Sequence, residues 1–258
     1  MSGDGAMTRV AVCGATGRSG SAVVETGQDR DDIEIVVGFA SERGEAAGVP
    51  LRPAGDATEV IAEFDVEAVV DFSTPAATLA VLDACVETEI PHVIATTGFD
   101  EDELARLQAA GDEIPILKAT NFSRGIQVLL RTVREAVTAL PGYDLELLES
   151  HHNGKVDAPS GTANTILETV QAERDVEPVY GREGHAPRAE DEIGVFARRA
   201  GDIRGEHELV LADNDEVLSL SHRAEDRGVF AAGALDAADW LVGREAGWYD
   251  FGQVIDDA

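Results

Sequence analysis

Short apolar runs alternate with helical patterns through the first half of the chain. Five of these runs predict strands, at residues 8–13, 33–39, 68–71, 92–95 and 114–117. Apolar residues at helical spacing follow the first run to about residue 28, and such spacing returns at 75–88 and 100–111. Strands that alternate with helices in this way are typical of a parallel sheet covered by helices on both faces. The first half is therefore predicted to be an α/β domain.

The pattern changes after Asn121. Apolar residues at helical spacing predict a long helix over residues 123–140, and alternation predicts a strand over 144–150. Ser160 is a suitable N-cap for a helix over 161–171.

The rest of the second half has mostly the pattern of strands. A strand is predicted at 192–199, and two more at 206–212 and 216–222 flank the hairpin signal Asp-Asn-Asp at 213–215. A last amphipathic helix is predicted over 228–241. The second half is therefore predicted to be α+β, with antiparallel or mixed strands.

The composition restricts both partners and environment. Fifty acidic and 20 basic residues give a formal net charge of −30, which argues against nucleic acids and anionic membranes as partners. The acidic residues are spread along the whole chain, and only Lys118 and Lys155 among the basic residues are lysine. This pattern indicates a surface adapted to concentrated salt, which shortens the range of charge repulsion.

The sequence also carries no signal for export. No apolar run approaches the ~20 residues of a membrane span, and the N-terminus lacks a basic region followed by an apolar stretch. Cys13 and Cys85 form neither a disulfide framework nor a metal-binding spacing, which suits two buried thiols in a reducing cytoplasm. We expect a cytoplasmic protein in which the polar residues 1–6 form a disordered extension.

A glycine-rich turn follows the first predicted strand. The spacing of Gly14, Gly17 and Gly20 suits a tight turn, a close approach to a pyrophosphate and the packing of the next helix on the sheet. Glu42 stands 22 residues after Gly20, where a carboxylate would accept bonds from ribose hydroxyls. Arg43 beside it would suit a 2′-phosphate. The sequence predicts dinucleotide binding and the use of both NADH and NADPH, without deciding which of them is preferred.

Residues 149–163 read ESHHNGKVDAPSGTA and place two histidines, a lysine and a helix start within fifteen positions. Lys155 is a point charge with three donors and suits a carboxylate. Gly161 and Thr162 would offer backbone amides and a hydroxyl to a second carboxylate, and a histidine can act as a general acid near neutral pH. The histidines have no spaced partner for zinc. The run therefore predicts a site that binds a small dianion and supplies a proton.

This run resembles the signature of the dihydrodipicolinate reductase family of diaminopimelate and lysine synthesis. Further segments resemble the family in the same order over nearly the whole chain from Met7. They are GATGRSG at 14–20, DFSTP at 71–75, TTGF at 96–99, NFSRG at 121–125, REGH at 182–185 and AGDIRGEH at 200–207.

The resemblance implies roles for individual residues. His151 would be the proton donor or acceptor, and Lys155 the second catalytic donor. His152, Gly161 and Thr162 would bind the substrate carboxylates. No metal is implied. The implied cofactor-binding residues are Gly14, Ala15, Thr16, Gly17, Arg18, Ser19, Glu42 and Arg43 at the adenosine end, and Ala95, Thr96, Thr97, Ala119, Thr120, Asn121 and Phe122 beside the nicotinamide.

The resemblance also implies the architecture. A Rossmann-type nucleotide-binding domain would comprise residues 7–123 and 228–258, and a central α+β substrate domain with a mixed sheet would comprise 124–227. The central domain would also mediate oligomerisation, and the protein would be a homotetramer. The return of the C-terminal segment to the first domain and the tetramer follow from the resemblance alone.

The implied reaction is the reduction of 4-hydroxy-tetrahydrodipicolinate, a small dicarboxylate, by NADH or NADPH. Hydride addition to a conjugated imine pushes charge onto nitrogen, so an adjacent acid would stabilise the transition state. Whether the substrate reacts in its hydrated or dehydrated form stays open.

Two other dehydrogenase classes lack the residues they need. A sugar dehydrogenase or epimerase would need a Tyr-x-x-x-Lys pair, and a semialdehyde dehydrogenase would need a nucleophilic cysteine beside a catalytic partner; the sequence offers neither. A protein that senses NAD(P) without catalysis remains the alternative.

Overall fold

A computed structural model describes residues 7–257, so the extension predicted at residues 1–6 lies outside the described part. The strands are β1 (Thr8–Cys13), β2 (Ile33–Phe39), β3 (Gly44–Ala46), β4 (Val49–Arg52), β5 (Ala68–Asp71), β6 (His92–Ile94), β7 (Pro115–Lys118), β8 (Asp144–His151), β9 (Glu177–Tyr180), β10 (Glu192–Arg199), β11 (Glu206–Asp213), β12 (Glu216–Arg223) and β13 (Gly247–Tyr249). The helices are α1 (Arg18–Gln28), α2 (Ala57–Glu63), α3 (Pro75–Thr88), α4 (Glu101–Ala110), α5 (Arg124–Ala139), α6 (Gly161–Glu173), α7 (Gly228–Leu241) and α8 (Phe251–Asp256).

These elements form two units. The first comprises the described residues up to Phe122 and those from Arg227 onward, and the second spans Ser123–Asp226. None of the described helices is both long enough and apolar enough to span a bilayer.

The first unit contains a sheet with the strand order β13-β7-β6-β5-β1-β2-β4-β3. All neighbouring strands in it are parallel except β3 and β4. The predicted parallel α/β sheet is therefore confirmed. The chain runs outward from β1 in both directions, and ligands of such sheets bind at the carboxyl ends of the strands beside this switch point.

Helices cover both faces of this sheet. Side chains of β1 alternate, so Val10 and Val12 join the core beneath α1, α7 and α8, whereas Ala11 and Cys13 join the core beneath α2, α3 and α4. Burial on both faces explains why the central strands read as continuous apolar runs. Cys13 and Cys85 are both buried and free, as expected, and burial raises the pKa of both thiols.

The second unit contains a mixed sheet with the strand order β12-β11-β8-β10-β9. β10 pairs in parallel with β8 and β9, and β11 pairs antiparallel with β8 and β12. The predicted hairpin is confirmed, with Asn214 and Asp215 at φ 51° and 59° in its turn. Side chains such as Val133 of α5 and Ile166 of α6 pack with Leu147 in the core of this unit.

Candidate active site

The glycine turn after β1 depends on the absence of side chains. Gly14 has a φ of +78°, and a Cβ there would lie 2.6 Å from the carbonyl oxygen of Phe72. A Cβ on Gly20 would lie 2.1 Å from the oxygen of Gly14. Gly17 is the N-cap of α1 and makes no side-chain cap, so the turn presents backbone amides at the start of the helix. Such a start favours a phosphate.

A cavity of about 450 Å³ opens beside this turn. Its volume is in the range of small-molecule sites. Its walls come from the turn and from the segments after β2 and β5, and include Gly14, Thr16, Gly17, Ser41, Ser73 and Thr74. Ala15 is buried beneath the turn, whereas Arg18 and Ser19 are exposed in the first turn of α1.

The two residues predicted to contact the adenosine ribose follow β2. Glu42 and Arg43 are both exposed. Arg43 forms an ion pair with Asp56, which follows β4. A 2′-phosphate at Arg43 would therefore meet a guanidinium that already has a carboxylate partner.

A buried carboxylate, Asp71, connects two segments at the other side of β1. Its Oδ1 accepts bonds from the amide and hydroxyl of Ser73, at 2.9 and 2.6 Å, and from the hydroxyl of Thr96, at 2.8 Å. Burial opposes ionisation of Asp71, but His92 at 3.5 Å and these bonds lower its pKa. The sequence prediction missed Asp71 as a site residue. Its place at the end of β5 would have been the signal.

The remaining predicted nicotinamide residues follow β6 and β7. Thr96 is buried, Ala95 and Ala119 are half-buried, and Thr97 and Thr120 are exposed; Asn121 is half-buried. The Phe122 ring is only 1% exposed and packs against Phe72 and Phe251, with ring centroids 6.1 and 5.2 Å apart. The Phe122 side chain thus belongs to the core of the first unit.

In the second unit, a buried carboxylate orients His151 at the end of β8. Nδ1 of His151 donates to Glu149 Oε2 at 2.6 Å, and Glu149 is fully buried. The two residues are two apart on a strand and so share a face. Because Nδ1 carries the proton of this bond, Nε2 is the atom left for a ligand.

Glu149 also connects β8 with β10 and α6. It accepts two bonds from Arg199, at 2.6 and 2.8 Å, and one from the Ser160 amide at 3.1 Å. Burial raises the pKa of Glu149, but the bonds from His151 and Arg199 outweigh burial and lower that pKa to about 2. The Ser160 hydroxyl accepts from the Ala163 amide, which confirms the predicted N-cap of α6.

His207 of β11 lies against His151, with the rings edge to face and their centroids 5.2 Å apart. Its Nε2 hydrogen-bonds to the Ser160 hydroxyl at 3.1 Å. The pKa of His207 is lowered to about 4, mainly by burial. The charge of His151 lowers it further, and the charge of Lys155 has a weaker effect in the same direction. His207 is therefore neutral at pH 7. The sequence prediction missed the roles of Glu149, Arg199 and His207.

The other predicted residues of this cluster lie in the segment after β8. The Lys155 amide donates to the His152 carbonyl at 3.1 Å, and its Nζ lies 2.9 Å from Asp157 Oδ1. His152 is half-buried. Gly161 and Thr162 form the first turn of α6, where backbone amides favour an anion. The second unit thus brings a proton donor, an ammonium group and a helix N-terminus into one segment.

A parallel sheet with a glycine turn and a separate unit with a histidine–lysine cluster define an oxidoreductase that uses a nicotinamide nucleotide. Family models for the N-terminus and the C-terminus of dihydrodipicolinate reductase match residues 8–122 and 125–255. The chain belongs to the dihydrodipicolinate reductase family. The resemblance drawn from its motifs is therefore confirmed.

Similar proteins agree with this membership over their full lengths. The chain is 67% identical to the 4-hydroxy-tetrahydrodipicolinate reductase of Haloarcula marismortui, over 97% of this chain and 100% of that one. It is 52% identical to the enzyme of the same name from Natronomonas pharaonis, over 95% and 99%. A dipicolinate-bound dihydrodipicolinate reductase from Paenisporosarcina sp. TG-14 has the same fold, with a TM-score of 0.78 at 21% identity and coverage of 95% and 97%.

Proposed function

We propose that the chain reduces 4-hydroxy-tetrahydrodipicolinate to tetrahydrodipicolinate with NADH or NADPH, in the diaminopimelate route to lysine. The observation that carries this proposal is the Glu149–His151 pair at the end of β8, with Lys155 four residues further on. A protein that only sensed a nucleotide would have no need of a buried carboxylate that orients a histidine beside an ammonium group.

The glycine turn of the first unit fits a dinucleotide. The spaces that a Cβ on Gly14 or Gly20 would fill are taken by backbone, so these positions admit only glycine. When bound, the nicotinamide supplies the hydride. Residues 14–19, Glu42 and Arg43 would hold the adenosine end, and residues 95–97 and 119–122 would border the nicotinamide.

The second unit would bind the substrate and donate the proton to it. Lys155 and His152 would bind one carboxylate, and the amides of Gly161 and Thr162 the other. Nε2 of His151 would deliver the proton, because Glu149 engages Nδ1, and Lys155 would be the second proton donor. The bonds from Arg199 keep Glu149 ionised, so the carboxylate stabilises the charged imidazole without taking its proton.

The proposal is tested by following nicotinamide oxidation with purified protein in molar potassium chloride. The substrate is made in situ from pyruvate and aspartate semialdehyde by the synthase that produces it, and the control omits that synthase. Consumption that requires the synthase supports the reductase. Tight nucleotide binding without consumption would instead support the sensing protein.

The ion pair between Arg43 and Asp56 leads to a prediction about cofactor choice. Asp56→Asn removes the carboxylate that neutralises Arg43, so we expect the Kd for NADPH to fall about fivefold relative to that for NADH. The two values are measured by fluorescence titration. Arg43→Gln in the same background should abolish the gain, and an unchanged ratio in Asp56→Asn would show that Arg43 does not read the 2′-phosphate.

A second prediction concerns the space beside His151. A Cβ on Gly205 would lie 3.2 Å from Nε2 of His151, closer than ordinary contact. We expect Gly205→Ala to displace the imidazole and lower kcat about tenfold, with nucleotide binding unchanged. Steady-state kinetics and nucleotide titration check this. Gly201→Ala is the control on the same loop, because it also places alanine at a positive φ, +50° against +159° at Gly205, but has no atom near the added Cβ. Equal kinetics in the two variants would contradict the prediction.

A third prediction follows from the net charge of −30. Repulsion among dispersed carboxylates destabilises the folded chain at low ionic strength, and salt screens it. We expect the Tm to rise by more than about 10 °C between 0.1 and 3 M potassium chloride. Thermal unfolding followed by circular dichroism measures the change, and a Tm independent of salt would contradict a salt-adapted surface.

We also propose a cytoplasmic homotetramer assembled through the second unit. The edge strands of that unit expose large side chains, with Tyr180 on β9 at 62% and Val217 on β12 at 68% exposure. Exposed residues of this kind on sheet edges suit contacts between copies. Light scattering after gel filtration in molar salt gives the mass. A monomer would refute the tetramer without affecting the proposed reaction.

A further inference from the structure

Lys118 is one of two lysines in a chain with 50 acidic residues, and the proposed reaction does not use it. It is the last residue of β7, at the carboxyl edge of the first unit's sheet, directly before Ala119. The other lysine, Lys155, pairs with Asp157 at 2.9 Å. Within residues 7–257, no ion pair involves Lys118. Of the two lysines, Lys118 is therefore the one whose ammonium group has no carboxylate partner among the described residues.

The surroundings of Lys118 make the lack of a carboxylate partner costly. The side chain is half-buried, and burial lowers its pKa. Its Nζ lies 5.7 Å from the centroid of the Phe99 ring, close enough for a cation–π interaction. The face of a ring replaces lost hydration only in part, whereas a carboxylate would replace it more fully. A half-buried cation held in this way at the edge where ligands bind points to a function toward a ligand.

The strand order identifies which part of a dinucleotide Lys118 can reach. β7 is separated from β1 by β6 and β5, which is about 14 Å at ~4.8 Å per strand. The pyrophosphate turn follows β1, and the adenosine residues follow β2 on the far side. The Lys118 ammonium is thus too far from the phosphates. Lys118 pairs in register with Ile94, which directly precedes residues 95–97, and Lys118 itself directly precedes residues 119–122. The proposed function assigns both of these segments to the nicotinamide.

We propose that Lys118 makes this site discriminate between the reduced and the oxidised nicotinamide. The ring is neutral in the reduced cofactor and carries a positive charge in the oxidised one. A fixed ammonium group nearby therefore repels the oxidised form alone, which favours binding of the reactant and release of the product. At separations of about 6–8 Å and partial burial, such repulsion weakens binding of the oxidised form about fivefold to tenfold. The inference rests on the proposed nicotinamide side of the cofactor site.

The test measures four dissociation constants without substrate. NADH, NAD⁺, NADPH and NADP⁺ are titrated into the wild type, Lys118→Met and Lys118→Arg by fluorescence or calorimetry. We expect the ratio of Kd for NAD⁺ to Kd for NADH to fall about fivefold to tenfold in Lys118→Met, and to stay near the wild-type value in Lys118→Arg. The NADP⁺ to NADPH ratio should change in the same way. Lys118→Gln provides a second neutral variant should the methionine variant fold poorly.

Two variants separate this role from a purely structural one. Phe99→Leu removes the ring beneath the ammonium but keeps the charge, so both forms should bind more weakly with their ratio nearly unchanged. If Lys118→Met and Lys118→Gln weaken both forms equally, Lys118 only positions the segment and the inference is wrong. A wild type that binds both forms but does not reduce the substrate would refute the proposed reaction and leave this inference intact. A wild type that binds neither form would overturn both.

Discussion

Lys155→Ala is expected to lower kcat by about 100- to 10,000-fold, with dissociation constants for NADH and NADPH close to those of the wild type. The ammonium group is the second proton donor of the proposed reaction and also the point charge that holds a substrate carboxylate. Its loss therefore affects the transition state as well as binding. Nucleotide binding is unaffected because the residues proposed for it belong to the first unit, whereas Lys155 belongs to the second.

The structure indicates that this variant will fold. Lys155 pairs with Asp157, whose side chain is 54% exposed, and a carboxylate exposed to this degree is readily solvated when its partner is removed. Lys155→Arg is the matched variant. It keeps the charge but not the compact geometry, and it should retain substrate binding better than turnover. Both variants are tested by steady-state kinetics with the substrate that the synthase makes in situ. A kcat near the wild-type value in Lys155→Ala would contradict the assignment of Lys155 as a proton donor.

Elements with a continuous apolar run or with apolar residues at regular spacing were predictable, and short elements without either pattern were not. The strand at 8–13 and the helix at 75–88 have the bounds expected from apolar spacing. β3 and β4 were missed because strands of three and four residues, interrupted by glycine and proline, show no clear alternation. α2 was missed because its seven residues make less than two full turns.

Site residues that are close together in the sequence were predictable, and those that are far apart in it were not. His151, His152 and Lys155 stand within five positions, so the run itself suggested a proton donor beside an anion site. Arg199 reaches Glu149 only because the register of β10 with β8 places it opposite His151. His207 reaches His151 through β11. A single sequence does not reveal pairings set by the sheet across roughly fifty residues.

Glu149→Gln is expected to lower kcat about 100-fold while leaving nucleotide binding unchanged. The amide has almost the same shape as the carboxylate but carries no charge. The amide no longer stabilises a charged imidazole at His151. Its nitrogen is a donor and cannot accept the bond from Nδ1, so the imidazole is no longer held with Nε2 free for a ligand. Glu146→Gln is the control on the same strand, because Glu146 pairs with Arg188 rather than with His151. It should change kcat less than about twofold.

The pH dependence of stability tests independently whether Glu149 is ionised in the folded chain. The pKa of Glu149 is lowered from 4.5 to about 2 in the folded chain. A lowered pKa contributes stability that is complete above the unfolded value and is lost as the pH falls from about 4.5 to about 2. The free energy of unfolding should therefore fall more steeply with acid in the wild type than in Glu149→Gln over this window. Above it, Glu149→Gln should be less stable by about 3 kcal/mol, because Arg199 loses its buried partner.

Denaturant titrations of the two proteins at several pH values in molar salt separate this contribution from those of the other carboxylates, since only Glu149 differs. Parallel curves would mean that Glu149 is not the ionised partner of His151 and Arg199. If turnover also survived in Glu149→Gln, the orientation of His151 would have to come from another contact. His207, whose ring lies edge to face with His151, would then be the residue to replace next.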